Sequence, residues 1–143
     1  MRIAMTVALP QEYRPFLKCF GPWRRLSARP YKQYLHAGSD REILLVETGM
    51  GQKSVLAALD KVVREYAPDL LISFGFAGSL HERLEVGAFC HVDAFFHPDA
   101  ASPPGLGEPP LYAAASAFRG DFSVTRTVRK ASILTVESPK PKA

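Results

Sequence analysis

Apolar positions along the chain follow two rhythms. Residues 2–9, RIAMTVAL, form a short, nearly unbroken apolar run that predicts a strand covered on both faces. Leu70-Leu71-Ile72 reads the same way, as a short central strand within 69–74. Between Gly51 and Pro68 the rhythm changes. Apolar residues at 55, 56, 59, 62, 63 and 66 recur at helical spacing and predict a helix over 52–66. The pieces 23–28, 31–36 and 42–47 are strand-like, separated by Pro30 and by Gly38-Ser39-Asp40, and the last two predict a hairpin. Residues 88–96 and 131–136 predict further core strands. Five prolines and two glycines over 98–110 predict a long surface loop or lid. A helix is expected from Pro110 or Leu111 through the alanines to Gly120.

Strands that alternate with helical segments point to an α/β fold, a three-layer sandwich around a mostly parallel, mixed central sheet. Strands 2–8, 42–48, 69–74, 88–96 and 131–136 are expected to build that sheet. The chain has 143 residues, enough for one core, and 1–143 is read as a single domain.

Hydrophobic residues make up 47% of the chain, which argues against disorder. No apolar run approaches the roughly 20 residues of a membrane helix. The chain starts directly in a strand-like run, so a cytoplasmic location and no membrane association are expected. Cys19 and Cys90 belong to no CxxC or Cys/His cluster, and no metal or cofactor is expected. His91 and His97 stand six residues apart without further ligands and are read as packing or hydrogen-bonding residues. The formal net charge is +4. Its basic residues are scattered, which predicts a solvated surface rather than a nucleic-acid site.

Candidate chemistry gathers where strands end. Pro10 suits the first turn of a helix, which puts Glu12 in that turn just past the first strand. There a carboxylate complements the helix dipole, and this reading competes with a catalytic one. Thr48-Gly49-Met50-Gly51 links a strand to the 52–66 helix. Its glycines serve either positive backbone angles or close approach of a ligand. Phe74-Gly75-Phe76-Ala77-Gly78 closes another strand with small residues against which a flat ligand can lie. Turns at the carboxyl ends of parallel strands are where open α/β sheets bind ligands.

Three segments in order carry a family resemblance: MRIAMTVALPQEYRPF, LLVETGMGQKSVLAAL, and SFGFAGSL followed by LEVGAF. Together they resemble the purine nucleoside phosphorylase and methylthioadenosine/S-adenosylhomocysteine nucleosidase superfamily, well over residues 1–97 and faintly over 131–138. The resemblance implies a nucleoside phosphorylase-like fold and cleavage of the N-glycosidic bond of a purine nucleoside or thionucleoside. It implies that Glu12 activates the attacking water. Thr48, Gly49, Met50 and Gly51 would abut the ribose, and Phe74, Gly75, Phe76, Ala77 and Gly78 would line the nucleoside site. The implied partner is a small-molecule nucleoside, in a homo-oligomer.

The sequence also departs from that pattern. Phe76 stands where many relatives have a small polar residue, and Gln11 replaces a Glu. Absent as well are the Met-Glu pair that holds the ribose hydroxyls in relatives and the Ser-Asp pair that protonates the leaving base. The chain is therefore read as C-terminally truncated, a fragment in which turnover is very slow or absent. Hydrolysis is the expected reaction, since 84–118 contains no Arg to bind phosphate and Glu12 holds the nucleosidase position. The alternatives are a nucleoside phosphorylase, for which Arg14 leaves room, and a non-catalytic nucleoside-binding paralogue.

Overall fold

A computed structural model describes residues 1–79, 82, 84–96, 112–113 and 129–134. The chain forms two compact units, Met1–Gly78 and Ser79–Ala143.

The first unit is a mixed five-stranded sheet with a helix on each face. Its strands are β1 (Arg2–Val7), β2 (Arg24–Ser27), β3 (Lys32–Ala37), β4 (Glu42–Glu47) and β5 (Leu70–Ser73), and its helices are α1 (Pro10–Cys19) and α2 (Gln52–Tyr66). The spatial order is β2-β3-β4-β1-β5. β1 runs parallel to both β4 and β5, with Ala4 opposite Leu44 and Leu71. The expected hairpin is present: β3 and β4 are antiparallel, with Leu35 opposite Leu44.

Alternation along the strands sends successive side chains to opposite faces. Ala4, Leu44 and Val46 meet Val62 and Tyr66 of α2 on one face. Val7 and Leu45 meet Tyr13 of α1 on the other, with Phe16, Trp23, Tyr34 and Phe74 packed around them. Because β1 and β4 are covered on both faces, they carry unbroken apolar runs. The helix expected over 52–66 is observed with those bounds and ends where Ala67 takes a left-handed conformation (φ 46°).

The second unit contains β6 (Cys90–Phe96), β7 (Tyr112–Ala113) and β8 (Arg129–Leu134). β6 pairs parallel with β8 and antiparallel with β7. Ahead of β6, the amide of Ala88 donates to the Glu85 carbonyl at 3.0 Å, and Gly87 has φ 85°. Leu84-Glu85-Val86-Gly87 thus turns the chain into β6.

Three sequence expectations need correction. The strand at 69–74 is an edge strand, since β5 pairs with β1 alone among the described residues. Leu70 and Ile72 are half-buried on one face, and Leu71, on the α2 side, is 43% exposed. Among the described residues, strands 90–96 and 129–134 hydrogen-bond to each other in a three-stranded sheet and do not pair with the five-stranded one. Tyr112–Ala113 is a strand where a helix was expected; pairing with β6 outweighs the alanine-rich helix propensity of its neighbours. The expected loop over 98–110, the rest of the alanine-rich segment and residues 135–136 lie outside the described residues.

Candidate functional site

The parallel strands β1, β4 and β5 end at one edge of the five-stranded sheet, and each end is tied to its neighbour. The Thr48 amide donates to the Val7 carbonyl at 2.8 Å, and the Phe74 amide donates to the Thr6 carbonyl at 3.1 Å. The chain leaves β1 at this edge and enters α1 through Pro10, whose missing N–H needs no partner there. Residue 12 is therefore in the first turn of α1, next to the end of β5.

Glu12 is half-buried and its two carboxylate oxygens have different partners. Oε2 accepts the amide of Leu9, the residue that caps α1, at 2.8 Å. Oε1 accepts the amide of Phe76 at 2.9 Å. The first bond is half of a capping box and serves the helix. The second crosses to the turn after β5 and fixes the carboxylate against the backbone of that turn. A carboxylate has about four acceptor sites, so each oxygen keeps a lone pair for another donor.

Gly75 allows this approach. A methyl group on its Cα would lie 2.7 Å from Glu12 Oε1 and 3.3 Å from its carboxyl carbon. Gly75 and Gly78 are not in the left-handed region, so a positive backbone angle is not what requires glycine at 75. At the other turn the glycines have the conformational role. Gly49 and Gly51 adopt φ 75° and 90°, and Gly51 caps α2.

Thr48 is buried, and its hydroxyl is shared between the carbonyls of Val7 at 3.3 Å and Gly49 at 3.0 Å. In this conformation it braces the turn. Met50 and Phe76 are 71% and 77% exposed, large apolar side chains left in solvent at the two turns. Phe74 points back into the unit, its ring 5.8 Å from that of Phe16 on α1. Ala77 and Gly78 are exposed. Among the described residues, the hydrogen bonds of the Glu12 carboxylate go to Leu9 and Phe76 and not to residues 48–51. A cavity of about 150 Å³ lies elsewhere, lined by Leu26, Gln33, Leu44, Lys61, Val62, Glu65 and Tyr66, and contains none of the expected site residues.

Next to the candidate base lies a polar cluster that the sequence reading missed. The Tyr13 hydroxyl donates to Glu47 Oε2 at 2.5 Å, and Lys32 Nζ donates to both Glu47 oxygens at 2.9 and 3.1 Å. Burial and the Glu47 acceptor push the Tyr13 phenol far above its ordinary value. Tyr13 follows Glu12 and Glu47 precedes Thr48, so this bond pins the first turn of α1 to the start of the 48–51 turn. The carboxylate of Glu47 that closes the apolar run Ile43–Val46 of β4 was the available signal. The side chains of His91 and His97 lie outside the described residues.

The sequence pattern of the phosphorylase superfamily matches residues 2–138. The 5′-methylthioadenosine/S-adenosylhomocysteine nucleosidase of Buchnera aphidicola is 29% identical over 87 residues, covering 61% of this chain and 38% of that protein. The corresponding protein of Staphylococcus saprophyticus is 37% identical over 57 residues, 40% of this chain and 24% of that protein. Among solved structures, the Streptococcus pneumoniae MTA/SAH nucleosidase in complex with 8-aminoadenine superposes with a TM-score of 0.77 at 20% identity. That superposition covers 96% of this chain and 65% of the pneumococcal one. A Streptococcus pyogenes S-adenosylhomocysteine nucleosidase in complex with 5-methylthiotubericidin gives 0.73, covering 64% of that chain. The chain thus spans less than two thirds of the length of these relatives, and the structural likeness shows the fold.

Proposed function

The chain belongs to the phosphorylase superfamily, and from that premise we propose that it is part of a nucleosidase hydrolysing the N-glycosidic bond of a purine nucleoside or thionucleoside. One observation supports the reading: Glu12, at the carboxyl edge of the sheet, gives one carboxylate oxygen to the cap of α1 and reaches with the other across to the Phe76 amide.

In the proposed reaction Glu12 accepts a proton from water. The water oxygen bonds to the anomeric carbon as the carbon–nitrogen bond breaks; the purine leaves with the bonding pair and is protonated from solvent, and Glu12 returns its proton to solvent, so that one water is consumed. A base positioned at the nucleophile supplies part of the rate; protonation of the leaving ring supplies another. Thr48 to Gly51 and Phe74 to Gly78 would form the two walls at which the nucleoside sits, with the exposed Met50 and Phe76 offering apolar faces to it.

The reading extends to a cytoplasmic homo-oligomer whose ligand is a small nucleoside and not a nucleic acid or a membrane. Uncovered apolar side chains support association. Leu56 and Val63, two turns apart on α2, are exposed, and so is Leu71 on the same face of the sheet.

The test is adenine release from methylthioadenosine by the whole protein, with and without phosphate. Release that needs no phosphate supports hydrolysis. Release that requires phosphate and yields a sugar phosphate makes the protein a phosphorylase. Calorimetric binding without release makes it a binding protein in which Glu12 is a helix cap.

A further inference from the structure

We propose that Gly75 is a positioning residue for Glu12: the side chain that residue 75 lacks is the space in which the Glu12 carboxylate is held. Glycine in the small-residue turn after β5 invites the reading that a ligand lies against it, yet the group that approaches Gly75 is the protein's own carboxylate. A Cβ at 75 would meet Oε1 at 2.7 Å, the carboxyl carbon at 3.3 Å and Oε2 at 3.6 Å. Contacts below about 3 Å to a carboxylate oxygen force one partner to move. Residue 75 belongs to the backbone of the sheet edge, while Glu12 ends a flexible side chain, so the carboxylate moves.

The displacement is selective. Oε1 is the oxygen nearest to residue 75, and it is the one that accepts the Phe76 amide at 2.9 Å. Oε2 lies farther away and accepts the Leu9 amide at 2.8 Å. Gly75→Ala therefore breaks the bond across to the β5 turn and spares the cap of α1. Gly75 is exposed and has no left-handed backbone angle, so alanine fits its conformation and the variant folds. Position 75 is thus a size filter on the orientation of the carboxylate, separate from any contact it makes with a ligand.

The structural part stands on the geometry alone; its consequence for cleavage rests on Glu12 being the base. Amide resonances test the structural part by nuclear magnetic resonance. Replacing Glu12 by Gln in the wild-type chain shifts the amide protons of both Leu9 and Phe76. In Gly75→Ala the Leu9 amide still responds and the Phe76 amide does not. Shortening the acid by one methylene frees the space, so the cleavage assay includes Gly75→Ala combined with Glu12→Asp. Gly75→Ala should lower kcat by about 100-fold or more, the scale of a general base, with KM within about threefold. The double variant should recover at least about tenfold of that loss. A Phe76 amide that still follows Glu12 in Gly75→Ala overturns the proposal. So does unchanged kcat in that variant when the wild type is active. Absence of cleavage in every form overturns the nucleosidase reading and leaves the amide test to decide the role of Gly75.

Discussion

Tyr13 is where one atom has the clearest structural consequence. Its ring is buried against Val7 and Leu45, and its hydroxyl reaches a carboxylate that already has a lysine. Tyr13→Phe keeps the ring and removes the donor, leaving Glu47 less than fully satisfied at the end of β4. Hydrogen bonds to charged groups contribute about 1.5–3 kcal/mol, and Lys32 remains to compensate part of that. Urea denaturation should report a loss of about 1–2 kcal/mol, and unchanged stability would show that Lys32 alone satisfies Glu47. Sequence placed Glu12 in its turn because Pro10 and the end of an apolar run fix both neighbours. It could not reveal the Tyr13–Glu47 bond, which spans 34 positions and depends on which face of β4 receives α1. Nor could it assign Gly75, since a glycine that serves a backbone angle and one that serves an approaching side chain look alike in a sequence.

At the level of elements, the two helices are each anchored to the sheet by a buried tyrosine. Tyr13 of α1 donates to Glu47, and Tyr66 of α2 donates to the Glu42 carbonyl at 3.2 Å with the Arg2 guanidinium 4.2 Å from its ring centre. Burial first, then the charge of Glu42, pushes the Tyr66 phenol up to about 12. Burial pushes Tyr13 further. Below pH 10, the ordinary value for tyrosine, both phenols are protonated in the folded and the unfolded chain, and their contribution to stability is complete. Above it the unfolded chain holds fewer protons than the folded one, so stability falls as pH rises through 10 toward 12 and beyond. Phenolate absorbance and helical circular dichroism, recorded together on an alkaline titration, should show these two tyrosines ionising as the helices are lost. Completion of the phenolate signal with the helices intact would contradict the account. Helix α2 was legible from end to end because a 3.6-residue rhythm runs uninterrupted between Gly51 and Pro68. The edge position of β5 was not, because a run of three apolar residues does not say how many neighbours its strand has. The strand at Tyr112–Ala113 was hidden by local helix propensity, which pairing with β6 overrides.

On the scale of the whole molecule, the first unit covers the α1 side of its sheet more fully than the α2 side. Phe16, Leu17, Trp23, Tyr34 and Phe74 are gathered on the former, while Leu56, Val63 and Leu71 are exposed on the latter. If copies of the chain cover that face, sedimentation should give a dimer or larger at micromolar concentration, and Val63→Glu should shift the protein toward monomer. A monodisperse wild-type monomer at high concentration would remove the homo-oligomer from the reading.

If the carboxylate of Glu12, held between Leu9 and Phe76, is the base of a glycosidic cleavage, removing its basic oxygen must slow that cleavage. The most direct measurement compares adenine release from methylthioadenosine by the whole wild-type protein and by its Glu12→Gln variant, with calorimetric nucleoside binding in parallel. Glutamine keeps the shape and an acceptor for the Phe76 amide but has no basic oxygen. With Glu12 as the base, kcat should fall by about 10²–10⁴-fold with binding changed by less than about threefold. Undiminished release by Glu12→Gln would contradict that role and leave Glu12 as the cap of α1.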